Sequence, residues 1–192
     1  MDIEFSAIAN TIKNRRSVKA QAMNGNKIPN GHVAAILELA NWAPTHGNTE
    51  PWHFVVYENP TEFCLQHAEL YKQNSLGDNF VSGTYDKLLH QGDNVSHVIV
   101  AVMKRGDLPK ITPLEEIAAS SCAIQNMLLG ATALNIASFW STGGMALKPA
   151  LKEFLGFGEH DLVMGILYFG YANEYPAGKR NTSIEEKITW VK

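Results

Sequence analysis

Three basic side chains and a hydroxyl group lie close together near the start of the chain, at Arg15, Arg16, Ser17 and Lys19. Arginine donates charge-assisted hydrogen bonds in a fork that matches phosphate oxygens, and serine adds a further donor. The grouping is therefore typical of a site for a phosphate monoester. The same residues also suit a solvated helix C-terminus, where cations interact favourably with the helix dipole.

Two further segments combine aromatic side chains with hydrogen-bonding groups, as a site for a planar ligand requires. Residues 43–52 carry two prolines, a glycine and Trp52 directly before a strand pattern, which suits a rigid loop that presents donors. Residues 139–144 carry Trp140, two hydroxyls and two glycines, which let backbone amides approach a ligand. The first segment is equally explained as a helix-to-strand turn, and the second lacks the G-x-G-x-x-G pattern of a Rossmann site.

The cysteines and histidines form no recognisable reactive or metal-binding pattern. Cys64 and Cys122 are far apart and lack C-x-x-C spacing, which argues against a disulfide framework and favours a reducing compartment. A cysteine hydrolase that uses Cys122 is an alternative, but this thiol falls in an apolar helix, where cysteines are usually inert core residues. The seven histidines show no i, i+4 or H-E-x-x-H spacing, so we predict no metal site.

Length, charge and hydropathy narrow the class of protein. The 192 residues are 45% hydrophobic, and we interpret residues 1–192 as a single domain with residues 173–192 as a polar C-terminal arm. Sixteen basic and nineteen acidic residues give a net charge of −3, which argues against nucleic-acid partners. No apolar run approaches the ~20 residues of a membrane span, and the acidic N-terminus is unlike a signal peptide. These features predict a soluble, cytoplasmic protein.

Hydrophobic periodicity predicts helices and strands without strict alternation, which favours an α+β fold with helices around a mixed sheet. The best-marked element is a helix over residues 112–136, with Thr112 as its N-cap and Pro113 at its first position. Beyond its first turn this helix carries no charge, so protein must surround it, with a second subunit as one source of that cover. Residues 74–95 are predicted as loops around a short helix near residues 85–90. The other predicted helices cover residues 3–14, 29–40, 61–73 and 149–155, and the predicted strands cover residues 53–57, 97–103, 137–142 and 162–171.

Taken together, in this order and at this spacing, these segments make the chain resemble the nitroreductase family of FMN-dependent oxidoreductases over nearly its whole length. The residues that carry the resemblance are 14–19, 43–54, 120–134, 140–143, 165–170 and the basic tail pair 179–180. The short length, His46 and the triplet at 140–142 are most similar to the small single-domain members. The resemblance implies a mixed, mainly antiparallel central sheet surrounded by helices, in an intertwined homodimer that binds FMN at the subunit interface.

The resemblance also implies nine FMN-binding residues. They are Arg15, Arg16, Ser17, Trp42, His46, Trp140, Ser141, Thr142 and Arg180. Arg15 and Ser17 match ligands of the phosphate and ribityl chain, with Arg16 in support, and Arg180 matches the tail cation that closes the phosphate site. Trp42 and His46 match positions that approach the flavin from the other subunit, whereas residues 140–142 match the segment beside the ring. The chain departs from the family at Glu50, where Gln usually precedes Pro-Trp, and we leave Glu50 outside the site.

The implied activity is that of an NAD(P)H-dependent oxidoreductase. Electrons would pass through FMN to an electron-poor small molecule, such as a nitroaromatic or a quinone, by a ping-pong mechanism. Because the cofactor performs the redox chemistry, we assign no catalytic side chain. The alternative from another class is a flavin-binding carrier or sensor without significant turnover, and steady-state NAD(P)H oxidation distinguishes the two.

Overall fold

The computed structural model of the chain describes residues 3–75 and 77–192, which form a four-stranded antiparallel sheet with helices on both faces. The strands are β1 (Trp52–Tyr57), β2 (His97–Met103), β3 (Ala137–Ser141) and β4 (Leu162–Gly170). The helices are α1 (Ile3–Asn14), α2 (Asn30–Asn41), α3 (Pro60–Asn74), α4 (Ser82–Leu89), α5 (Pro113–Ala133) and α6 (Pro149–Phe154). The strand order is β1-β2-β4-β3, so β1 and β3 form the two edges of the sheet.

The centre of the sheet is buried on both faces. All seven residues of β2 are buried, and its side chains alternate between two hydrophobic clusters. Val98 and Val100 pack in the cluster that includes residues of α3 and α6, whereas Ile99 and Ala101 pack in the cluster that includes α2 and α5. A strand covered on both faces has no polar side, which explains the continuous apolar run in the sequence.

Helix α5 begins with a capping box. The Thr112 hydroxyl accepts a hydrogen bond from the Glu115 amide, and the Glu115 carboxylate accepts one from the Thr112 amide at 2.7 Å. The helix ends at Ala133, because Asn135 takes a left-handed conformation with φ of 56°. The predicted cap is confirmed, and the predicted end at residue 136 is wrong by three residues.

The other predicted helices and strands are confirmed within about two residues, with two corrections. Helix α4 begins at Ser82, earlier than the predicted helix near residues 85–90, and residue 76 of the predicted loop lies outside the described residues. The paired strands are all antiparallel, and the parallel contact of the described chain is an isolated bridge between Ser17 and Ser138. Within residues 3–75 and 77–192, no helix is long and apolar enough to span a membrane.

Candidate functional site

The segment that follows α1 runs beside the edge strand β3. Ser17 forms a parallel bridge with Ser138, and the amide of Val18 donates to the Ser138 carbonyl at 2.9 Å. The buried Val18 side chain anchors the segment in the core. In the part of the chain that the structure describes, the Arg15 guanidinium and the Ser17 hydroxyl make no hydrogen bond. Both groups are therefore free to bind a ligand.

Arg16 differs from Arg15 because it is bonded to backbone carbonyls. Its Nη1 donates to two carbonyls of the preceding turn, and its Nε donates to the carbonyl of Pro176 in the C-terminal arm at 3.1 Å. A Cβ atom at Gly178 would lie 2.5 Å from Nη2 of Arg16, so the arm passes directly against this guanidinium. Arg180 follows two residues later, within about 7 Å along the chain. The structure thus brings the two basic clusters of the sequence close together.

The indole of Trp140 occupies space that a missing side chain leaves open in β4. Its Nε1 donates to the carbonyl of Met164 at 2.9 Å, and a Cβ atom at Gly165 would overlap that nitrogen. Gly165 has φ of 144° and lies at a β-bulge between β2 and β4. The bulge and the glycine together let the indole lie against the backbone of β4, which fixes the end of β3.

A depression of about 200 Å³ opens beside the end of β3. Its lining residues include Ser141 and Gly143 at the end of β3 and the two lysines Lys19 and Lys87. Gln91, a residue that is 6% exposed, also lines the depression, and its side-chain amide makes no hydrogen bond within residues 3–75 and 77–192. Its amide is therefore available to a ligand that enters the depression.

Sequence reasoning missed Lys87 and Gln91 as candidate site residues. Both belong to residues 74–95, whose pattern is weak, and only the tertiary packing of α4 brings them to β3. Lys19 was recognised as part of the basic cluster but not as a neighbour of Ser141. The available signal was a lysine and a glutamine one turn apart at the end of a short helix, which is common on protein surfaces.

The turn after β3 is fixed by a hydrogen bond to His67 of α3. The His67 Nε2 accepts the amide hydrogen of Met145 at 2.9 Å. A Cβ atom at Gly144 would lie 2.8 Å from that nitrogen, and Gly144 has φ of 64°, so this position requires glycine. Burial lowers the pKa of His67 to about 4, which keeps the imidazole neutral and able to accept this hydrogen bond. The loop bearing Gly143 is therefore rigidly supported.

His46 lies at the opposite end of α5 from Arg16. Its Nδ1 is 2.6 Å from Oε1 of Glu115 in the first turn of α5. Hydrogen bonds from the Thr112 amide, from His46 and from the Thr112 hydroxyl lower the pKa of Glu115 to about 2. Arg16 lines a depression beside the last turn of α5. Seventeen helical residues separate positions 115 and 132, which places the two sites roughly 25 Å apart along the helix axis.

Trp42 belongs to an exposed apolar surface. Its side chain is 78% exposed, and it lines an open depression of about 550 Å³ between α1, α2 and α5. Helix α1 has no buried residue, although its sequence is amphipathic. We call this surface the α1 face, and it comprises the exposed side chains of Ile8, Ile12, Leu39 and Trp42. Exposed apolar surfaces of this kind are typical of sites of protein association.

Comparison with known proteins places the chain in a family. The sequence model of the nitroreductase family matches residues 12–171. The chain belongs to the nitroreductase family. Among its relatives, YdjA of Escherichia coli K12, a proposed NAD(P)H nitroreductase, is 28% identical over 176 residues, which cover 89% of each protein.

Solved structures share the fold of this nitroreductase-family chain. A nitroreductase-like family protein from Bacillus cereus superposes with a TM-score of 0.83 at 28% identity, over 96% of each chain. A nitroreductase with bound FMN from Bacteroides fragilis superposes with a TM-score of 0.67, also at 28% identity, over 96% of this chain and 98% of that one. The α+β fold inferred from the sequence is thus confirmed.

In this nitroreductase-family chain, Cys122 lies in a different environment from the one expected from the sequence. Cys122 is exposed on α5 rather than buried, whereas Cys64 is buried and burial raises its thiol pKa to about 12. A cysteine hydrolase needs a base within hydrogen-bond reach of a reactive thiol. In the described part of the chain, Cys122 has no such partner. The structure therefore gives no support to the hydrolase alternative.

We expect Gly165→Ala to destabilise the protein and to displace Trp140. The added Cβ overlaps the indole nitrogen, and alanine is strained at φ of 144°. The free energy of unfolding should fall by about 2–4 kcal/mol, with a change in tryptophan emission. Gly83→Ala is the matched control, because a Cβ there meets no atom within 4 Å. Unchanged stability and emission in Gly165→Ala would contradict the assigned packing.

Proposed function

We propose that this protein is an FMN-dependent NAD(P)H oxidoreductase that reduces an electron-poor small molecule, such as a nitroaromatic or a quinone. The observation that carries the proposal is the arrangement along the β3 edge, in a chain of the nitroreductase family. The segment with Arg15 and Ser17 lies beside one part of this edge, and the depression lined by Lys19, Lys87 and Gln91 lies at its end. The name of YdjA and the FMN bound to the Bacteroides fragilis protein agree with this activity.

The β3 edge sets the distance between the two parts of the proposed site. Ser17 bridges to Ser138, and Ser141 lies three residues further along β3, which is about 10 Å at the rise of a strand. FMN carries its phosphate and its ring at opposite ends of a ribityl chain. Arg15, Ser17 and Arg180 suit the phosphate, and the depression beside Ser141 suits the polar edge of the ring.

When bound, FMN supplies the two-electron chemistry that links NAD(P)H to the acceptor. The protein binds and orients this group. Lys19 and Lys87 line the depression, and their positive charges would stabilise negative charge that develops on a ligand there. The Gln91 amide offers one donor group and one acceptor, as the imide edge of a flavin ring requires. We assign no proton-transfer role to any side chain.

Trp42 and His46 enter the proposed site from a second copy of the chain. Within one protomer His46 and Arg16 are at opposite ends of α5, roughly 25 Å apart, which exceeds the length of FMN. One chain therefore does not place both around the same flavin. The α1 face and the exposed apolar residues of the C-terminal arm support a homodimer. These arm residues are Tyr175, Ile184, Ile188, Trp190 and Val191.

We expect sedimentation velocity to give one species of about 42 kDa, twice the 21.2 kDa of a single chain. Ile8→Glu places a charge in the α1 face and should shift the protein toward the monomer, because a buried unpaired charge opposes association. Lys13→Glu, a charge change on the same helix outside the α1 face, is the control. A monomeric wild-type protein would contradict the homodimer.

The single domain and the cytoplasmic location inferred from the sequence remain part of this proposal. The two hydrophobic clusters pack on opposite faces of the same sheet, which supports a single domain. Both cysteines are free thiols, which suits a reducing compartment.

Arg15→Ala should weaken FMN binding by about 1.5–3 kcal/mol, the contribution of hydrogen bonds to a charged group. This is a roughly 10- to 150-fold higher Kd, measured by quenching of flavin fluorescence on titration into flavin-free protein. Lys13→Ala removes a neighbouring positive charge from the exposed end of α1 and is the matched control. An unchanged Kd in Arg15→Ala would remove Arg15 from the site.

The purified protein should contain about one FMN per chain and oxidise NADH or NADPH when a quinone or nitroaromatic is added. Initial rates at several concentrations of both substrates should give the parallel reciprocal plots of a ping-pong mechanism. A protein that holds FMN but shows no turnover would support the carrier or sensor alternative. A colourless protein that does not bind added FMN would contradict both functions.

A further inference from the structure

We propose that Arg16 is a positioning residue: it fastens the C-terminal arm to the protomer so that Arg180 reaches the flavin phosphate, and it does not bind the phosphate itself. The inference rests on the proposed function, because it concerns how the proposed FMN site is assembled. It separates the roles of two adjacent arginines that the family resemblance groups together.

The hydrogen bonds of Arg16 leave little of its guanidinium for a ligand. Nη1 donates to the carbonyls of Lys13 and Arg15 at 2.6 and 3.0 Å, and Nε donates to the carbonyl of Pro176 at 3.1 Å. These contacts use three of the five N–H groups of an arginine. The remaining nitrogen, Nη2, lies against Gly178, where even a Cβ atom would be only 2.5 Å away. A bidentate phosphate contact would require the arm to move away.

Arg16 is also the last attachment point of the arm before its basic pair. Upstream, Asn173 bonds to the loop before α2 at 3.0 Å, and the Tyr175 hydroxyl donates to a carbonyl after α5 at 3.2 Å. Beyond Gly178, the side-chain hydrogen bonds of the described arm join residues of the arm itself. The path of Arg180 is thus set by the contacts of Arg16 two to four residues earlier.

The result is a pair of arginines held near each other with free donors. The Arg15 guanidinium has no hydrogen bond in the described chain, and Arg180 uses a single N–H to the carbonyl of Lys179. Because Arg16 touches Gly178, Arg180 lies no more than a short span of chain from Arg15. A dianionic phosphate between these two cations would satisfy their donors and offset their mutual repulsion.

A double-mutant cycle on FMN affinity tests the assignment. If Arg16 acts through Arg180, Arg16→Ala and Arg180→Ala should raise the Kd by similar factors, and the double variant should match the Arg180→Ala single within about twofold. If Arg16 binds the phosphate directly, the two factors should multiply in the double variant. That multiplication would overturn the proposal.

Gly178→Ala provides a second route that leaves both arginines in place. Its Cβ collides with the Arg16 guanidinium, so this variant should reproduce the weakened FMN binding of Arg16→Ala and add nothing in the Arg16→Ala background. Gly31→Ala is the control, because a Cβ there meets open space. Wild-type affinity in Gly178→Ala would count against the attachment.

Limited trypsin digestion of the flavin-free protein gives a readout that does not depend on FMN. Cleavage after Lys179 should be several-fold faster in Arg16→Ala and Gly178→Ala than in the wild type. A detached arm can adopt the extended conformation that the protease active site binds. In Arg180→Ala, cleavage after Lys179 should keep the wild-type rate. Unchanged cleavage in Arg16→Ala would overturn the positioning role. Failure of the wild type to bind FMN would instead overturn the proposed function.

Discussion

The edge of β3 is the constraint on which the candidate site depends. Within the part of the chain that the structure describes, this strand pairs with β4 on one side, and on its other side its only bridge joins Ser138 to Ser17. An open strand edge usually invites unwanted pairing, and proteins cover or interrupt it. Here the segment after α1 covers the edge for two residues, and that contact carries Arg15, Ser17 and Lys19 to their places.

Two glycines allow the end of β3 and the turn after it to pack closely against neighbouring elements. Gly165 leaves room in β4 for the Trp140 indole, and Gly144 lets the following turn rest on His67. Each of these contacts joins the end of β3, or the turn after it, to a buried element. The end of β3 is therefore held in place by packing against the core. A site built on a rigid element keeps its geometry better than one on a loop.

Local patterns predicted the elements well but not the contacts between them. The capping box at Thr112 and the apolar run of β2 each depend on residues that are close together in the sequence, so the sequence alone predicts them. The association of Lys87 and Gln91 with β3, and of Arg16 with the arm, depends on packing between distant segments. Cys122 illustrates the opposite error, because its place in an apolar helix indicated a core residue, whereas its side chain is exposed in the protomer.

Helix α1 has a consequence for how the protein folds. A helix of twelve residues is marginally stable in water by itself, and α1 has no side chain buried in its own protomer. Its stability must therefore come largely from whatever covers the α1 face. With a second copy as that cover, folding of the N-terminal segment and assembly become one equilibrium, and heat resistance rises with protein concentration. Dilution would then favour the monomer and unfolding of α1, the helix that directly precedes Arg15.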